Sequence, residues 1–374
     1  MTTSATSMLT TTFIDDKRPI GTFIKMTFSG YKTVQAMKKM LESMVSSKVE
    51  DACYWTAELI CSGHYAEIWD TIFLFYGKYV HIANPKLAIY INTKMSKFKE
   101  NMNNASSAQE QLDFRNEPAF RHMICEIVIT LCQSDKKFVL NYASVPEGDF
   151  ELVTLKNNLT ASDFSRAEKI IKPEDPRELM VTINELQLCL TSKVSSTTRA
   201  NYWVEWLLDY AKLCKKRKQP CHIQKREHDF VDSKYQRNIV WLIWDAIQNE
   251  ANERQSNIII KVISSLLRMF ALRYTETSNT RRKCLIYFAV ALLTVCPPGT
   301  AEHIPMIRDK TRLECAMMQV DKVFTHVRNV ASESMESSSE KNDVTAKVDA
   351  DTSIDKMRII SIFEKTHGTT RSAP

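Results

Sequence analysis

The chain has 374 residues, a net charge of +6 at pH 7 and only seven glycines, enough length for one large or two modest domains but few places for a glycine-rich phosphate loop. Its longest apolar stretch, Leu285 to Val295, falls far short of the ~18 residues that span a bilayer, and the Thr-rich start MTTSATSMLTTTF lacks a basic-then-apolar signal, which predicts neither membrane insertion nor secretion. Ten cysteines lie mainly on apolar helical stretches, among them Cys53, Cys125, Cys189 and Cys284, a usage that suits a reducing compartment without disulfides.

In chain order, residues 1–18 lack apolar periodicity and read as a loose arm, and the first helix is expected after Gly30. VEDACYWTAELICSGH sets Ala52, Trp55, Leu59 and the flanking Ile60 at helical spacing and meets a C-terminal cap at Gly63. YAEIWDTIFLFYGKYVHIA follows as one nearly all-apolar helix. Asn84 with Pro85, and then Asn116 with Pro118, offer N-caps and first-turn prolines for the next two helices. NYASVPEGDFELVTLKNNL is mixed, an irregular crossing or a short strand pair. Helix resumes with Leu179, Ile183, Leu186 and Leu190 in phase, and Thr197 or Thr198 is placed to cap a helix carrying the stripe Tyr202, Trp203, Trp206, Leu207 and Tyr210. Three further helices are stopped by Pro297, Pro298 and Gly299. PMIRDKTRLECAMMQVDKVFTHVRNV reads as one last long helix. An acidic, Ser-rich tail over 332–374 closes the chain, with a short amphipathic helix at 353–365.

An internal echo organises these elements. Tyr54-Trp55 with Glu58, then Ile68-Trp69-Asp70, is answered by Tyr202-Trp203 with Glu205, then Ile243-Trp244-Asp245. The pattern predicts an all-α protein of two quasi-repeated four-helix units, 19–140 and 197–331, joined by a helical segment over 141–196. The tryptophans sit among aliphatics at helical spacing and read as core. The recurring carboxylates read as acceptors for indole N–H groups or as caps of neighbouring helices, with acid–base work as the alternative.

Where the first unit turns at Gly63, the second inserts KLCKKRKQPCHIQKREH within a basic loop over 212–234. Its cations, Lys212, Lys215, Lys216, Arg217, Lys218, Lys225 and Arg226, predict an extruded electrostatic contact on a packed scaffold. The partner is expected to be an acidic protein or the chain's own tail, with nucleic acid as the alternative class, in which Tyr210, Phe230 and Tyr235 would stack on bases. A nuclear address and a merely solvated loop fit the same residues. Cys214, Cys221, His222 and His228 are proper zinc ligands, but their spacing misses the usual Cys-x2–4-Cys hook, so no metal or other cofactor is expected. Nucleotide-loop, zinc-protease and nucleophile-elbow motifs are absent, which points to a non-enzymatic role.

Several separated stretches, EDACYWTAELICSGHYAEIWDTI, HIANPKLAIYI, KPEDPRELMVTINE, NYWVEWLLDYAKLCKKRKQPC and NIVWLIWDAI, resemble an all-helical protein family of nucleocytoplasmic large DNA viruses of algae and protists. The resemblance covers Val49 to Cys296 and brings no activity or functional residue set. It implies a virus-encoded protein of the infected cell's cytoplasm, nucleus or viral factory, or of the virion itself. A fainter likeness, between Asp51 and Ile91, is to the helical collar of clamp-loader-related AAA+ ATPases; without a phosphate loop it implies a helical oligomerisation module and no ATP hydrolysis. The combined expectation is a scaffold or virion-associated component that docks viral or host proteins, the alternative being a nucleic-acid-binding replication or transcription accessory factor.

Overall fold

A computed structural model describes residues 13–137, 143–191, 195–219, 221–228, 230–296, 299 and 303–339. Among them the protein is all-α, with one isolated antiparallel bridge between Met26 and Lys32 and no strand. Among the described residues no helix is long and apolar enough to cross a membrane. The expected tail helix at 353–365 lies outside the described residues, as do Pro297 and Pro298.

The longer helices are α1 (Thr33–Val45), α2 (Val49–Cys61), α3 (Tyr65–Phe75), α4 (Leu87–Asn104), α5 (Pro118–Cys132), α6 (Glu178–Leu190), α7 (Thr197–Lys216), α8 (Val240–Glu253), α9 (Asn257–Ala271), α10 (Lys283–Thr294), α11 (Lys310–Met317) and α12 (Val320–Ser339). The mixed segment contains a 3-10 turn, Glu147–Phe150, and a short helix, Leu152–Asn158, so a strand pair does not form there.

The chain divides into two compact units that are not consecutive in sequence. Described residues of 1–75, 94–134 and 307–374 form the first, and those of 76–93 and 135–306 the second. This differs from the sequential ranges 19–140 and 197–331. The reason is the apolar stripe Val320, Val323, Phe324 and Val327, all buried, which carries α12 onto α2. Helix α12 also continues through 332–339, expected as tail. No glycine or proline interrupts it, and Ser332 and Ser334 turn their hydroxyls back onto Arg328 and Ala331 carbonyls. The single long helix expected after Pro305 is two, parted at Met318 and Gln319; nothing in the local sequence marks that break.

In the first unit α2 is the central element. Every residue from Asp51 to Cys61 is buried, and α1, α3, α5 and α12 pack around it. Gly63 ends it as expected, at φ +75°. Residues 13–18 are not a loose arm. Ile14 is buried, its N–H donates to Asn116 Oδ1 at 2.8 Å and its carbonyl accepts from Asn116 Nδ2 at 3.2 Å. That engagement takes Asn116 away from capping α5, whose N-cap is Glu117 with Pro118 at the first position.

In the second unit the central element is α10, buried from Cys284 to Leu293 and packed by α6, α7, α8 and α9. The expected continuous helix YAEIWDTIFLFYGKYVHIA is three pieces: α3, a π-turn over Tyr76–Val80 and a 3-10 turn over His81–Ala83. Gly77 lets that turn approach α10, since a Cβ there would stand 3.0 Å from Cys284 Sγ and 3.3 Å from the Cys284 carbonyl carbon. Gly77→Ala therefore has to displace backbone as well as side chain. It is expected to lower unfolding free energy by about 1–3 kcal/mol, read as a shift of the denaturant midpoint at unchanged m-value.

Candidate functional site

The basic segment begins on α7. Its C-terminal turn is closed by Arg217 N–H to Leu213 O at 2.9 Å and Gln219 N–H to Cys214 O at 2.9 Å. Lys218 takes the left-handed conformation, φ +55°, that a glycine usually supplies at this position. The chain then folds back: Ile223 and Arg226 donate backbone N–H groups to Arg237 O and Gln236 O at 3.2 and 3.0 Å. With Cys214, Ile223 and Arg226 buried, the stretch is a pinned crossing rather than an extruded loop.

Its seven cations separate into three kinds. Lys212 and Lys215 are exposed but engaged, Lys212 with Asp209 at 2.7 Å and Lys215 with Glu276 at 2.8 Å. Lys216, Arg217, Lys218 and Lys225 are exposed and enter no ion pair among the described residues. Arg226 is the correction: only 2 % exposed, it is an internal tie and not a surface contact. It grips Asp175 with both terminal nitrogens, at 2.6 and 3.1 Å, and turns Nε to Asp245. Its remaining N–H groups donate to Gln224 O at 2.8 Å and Ile170 O at 3.3 Å, so all five donors of the fork are used. Burial works against its charge, but hydrogen bonds and charge from Asp175 and Asp245 outweigh it and push the guanidinium pKa up.

The zinc residues do not converge. Cys214 is buried beside Cys221, whose thiol is pushed up to about 12 by burial and by the Cys214 thiol. His222 is exposed, and the His228 ring packs against Trp241 at 4.9 Å and Phe230 at 5.4 Å. Among the described residues no group of three metal-ligating side chains forms. The flanking aromatics are anchors: Tyr210 stacks on Trp206 at 4.9 Å, and Tyr235 meets Tyr274 edge-on at 5.6 Å.

All six indoles are buried. The recurring carboxylates, however, do not receive them. Glu58 accepts from Ser29 N–H at 3.1 Å and Ser29 Oγ at 2.5 Å, Glu205 from Tyr287 and Lys283, and Asp245 from Arg226. Trp55, Trp69, Trp203 and Trp244 keep indole N–H groups without an acceptor. Trp206 and Trp241 donate instead to the Asp149 and Tyr235 carbonyls at 3.1 and 2.7 Å. Burial raises the carboxyls of both Glu58 and Glu205, and each serves as an internal acceptor.

A second site was not foreseen. Within the second unit the 3-10 turn at His81, the first turn of α7 and the C-terminal half of α10 enclose a cavity of about 220 Å³. His81 is fully buried, sits at φ +51°, and neither ring nitrogen has a hydrogen-bond partner. Asn201, 3 % exposed, also lines the cavity, and its Oδ1 has no hydrogen-bond partner. Thr197 and Thr198, expected to cap α7, line the cavity instead, because Ser196 Oγ takes the cap by accepting from Arg199 N–H. Asn84, the other expected cap, spends its amide on the Pro305 and Met306 carbonyls at 3.1 and 3.2 Å, and α4 starts only at Leu87.

Set against protein-family models, curated proteins and solved structures, the chain matches none.

Proposed function

We propose that the protein is a non-enzymatic helical interaction component that docks an acidic protein partner through the cations closing α7. The observation that carries this reading is the run Lys216, Arg217 and Lys218, three consecutive exposed cations with no internal ion pair among the described residues. A contact presented on an exposed helix end whose backbone is fixed by capping hydrogen bonds holds its charges in place before binding, which lowers the ordering cost of association. The setting, a large DNA virus in its infected host cell, rests on the resemblance of the quoted stretches alone; whether the protein is packaged is decided by mass spectrometry of purified particles.

The competing nucleic-acid reading uses the same residues and differs in a measurable slope. With Arg226 internal and Lys212 and Lys215 paired, Lys216, Arg217, Lys218 and Lys225 remain for phosphates, so log K against log salt on duplex DNA would fall with a slope of about −3.5, not the roughly −5 of six free contacts. We expect the triple reversal Lys216→Glu, Arg217→Glu, Lys218→Glu to weaken binding of an acidic peptide at least tenfold, measured by fluorescence anisotropy. Duplex and single-stranded DNA should bind more weakly than that peptide at physiological salt. Unchanged peptide binding in the triple variant rejects the docking surface, and DNA binding that exceeds peptide binding and is lost in the variant moves the assignment to nucleic acid.

A further inference from the structure

We propose that the polar cleft lined by α8, residues 169–172 and residues 226–228 is a binding site for a neutral, hydroxyl-rich small molecule of the size of one sugar ring. The site is separate from the docking surface that closes α7, since Lys216, Arg217 and Lys218 do not line it. It begins on α8, where Asp245, Gln248, Asn249 and Asn252 fall at i, i+3, i+4 and i+7 on one face of the helix. The core face of α8 is a different one, carried by the buried Trp244, Ile247 and Ala251. A helix face outside the core is ordinarily open to water. Here Asp245, Gln248 and Asn249 are half-buried, because the two other segments stand against them and the three together bound a volume of about 350 Å³.

The lining is accessible and uncommitted. The carboxamides of Gln248, Asn249 and Asn252 make no hydrogen bond among the described residues, and Lys172 and Glu227 enter no ion pair there. Their side chains are half-buried or exposed, so a ligand arriving from water meets them. Charge and chemistry then narrow the class. No positive surplus is left to hold an anion: Arg226 spends its donors internally and is outnumbered by Asp175 and Asp245, Lys169 is paired with Glu253 at 2.8 Å, and Lys172 is balanced by Glu227. A cation would stand against Lys172. Ile170 is the one aliphatic residue of the lining, which gives an apolar ring little to rest on. What remains is three carboxamides, each offering N–H donors and a carbonyl acceptor. A hydroxyl likewise donates and accepts, so neighbouring hydroxyls on a ring match neighbouring carboxamides on one helix face. The volume lies near the lower end of the roughly 300–1,000 Å³ usual for small-molecule sites, which fits one ring rather than a chain of them. Asp245, tied to Arg226, fixes that wall of the cleft before binding.

The test titrates the full chain with glucose, galactose, mannose and myo-inositol, and with glucose 6-phosphate as the charged counterpart, by saturation-transfer NMR and calorimetry. At least one of the neutral probes is expected to bind more tightly than about 1 mM. Gln248→Leu and Asn249→Leu remove the carboxamides at helix positions outside the core, where leucine is a good helix former. Each should weaken binding about tenfold with helical circular dichroism unchanged. Asn252→Trp, at the exposed end of the same face, should obstruct the cleft and abolish binding. Glucose 6-phosphate that binds at least tenfold more tightly than glucose, with the preference lost in Lys172→Met, overturns the neutral class. Absence of binding by every neutral probe, or binding that survives the double variant Gln248→Leu, Asn249→Leu unchanged, overturns the site itself.

Discussion

Replacing Arg226 by methionine is expected to destabilise the protein by about 3–5 kcal/mol, the cost of breaking a buried ion pair from one side. The guanidinium joins Asp175 and Asp245, and Asp175 also accepts the Lys172 and Gln224 backbone N–H groups, each at 2.7 Å. Removing Arg226 therefore leaves two carboxylates without their cation and frees the crossing that Arg226 holds. Lysine at this position should recover little, since an ammonium cannot make the two parallel bonds to Asp175 while reaching Asp245. By contrast, alanine at Lys216 or Lys218 should change stability by less than about 0.5 kcal/mol, as exposed positions do. Chemical denaturation followed by circular dichroism measures all four variants. Hydrogen exchange adds a local readout: the Ile223 and Arg226 amides, bonded to Arg237 O and Gln236 O, should lose protection in the Arg226 variants. A methionine variant as stable as the parent would show that the tie carries no net stability.

Acidification from pH 6.5 to 4 should cost about 3 kcal/mol through His81 alone. Its folded pKa, about 4, lies below the usual histidine value of 6.5 because burial disfavours the charged ring and Lys137 repels it. As pH falls below 6.5 the unfolded chain takes up a proton that the folded chain refuses, so stability drops until both forms are protonated, below about pH 4. Above pH 7 the contribution is constant. Glu58, Glu205 and Glu250 act in the opposite sense. Burial raises their carboxyls, so their share of stability is present at low pH and lost as pH rises through the raised values. The histidine effect is therefore read as the difference between the parent and His81→Asn across the pH range. Two curves that run parallel from pH 7 to 4 would mean the imidazole is not held neutral.

These two residues also mark how far the sequence could be read. All-α class, most helix positions, the cap at Gly63 and the burial of six indoles follow from spacing at i, i+3 and i+4, because a helix registers its buried face in its own local order. The candidate contact was legible in the same way as a run of cations, and Lys216, Arg217 and Lys218 occupy an exposed helix end. The fates of Arg226 and Lys225 were not distinguishable. They are neighbours with the same charge, and what separates them is Asp175, 51 positions upstream, and Asp245, 19 downstream.

Likewise nothing local to FYGKYVHIAN announces a cavity. His81 borders one only because the start of α7 and the later half of α10 arrive from far along the chain. The sequence by itself determined which segments coil and which face of each is apolar, since those preferences act within a turn or two. Tertiary structure alone decided that α12 joins the unit of α2, that one cation of seven becomes an internal tie, and that a histidine and an asparagine share a cavity without hydrogen-bond partners. Those outcomes depend on pairings between distant elements, whose energies are set by burial and geometry that no local pattern records.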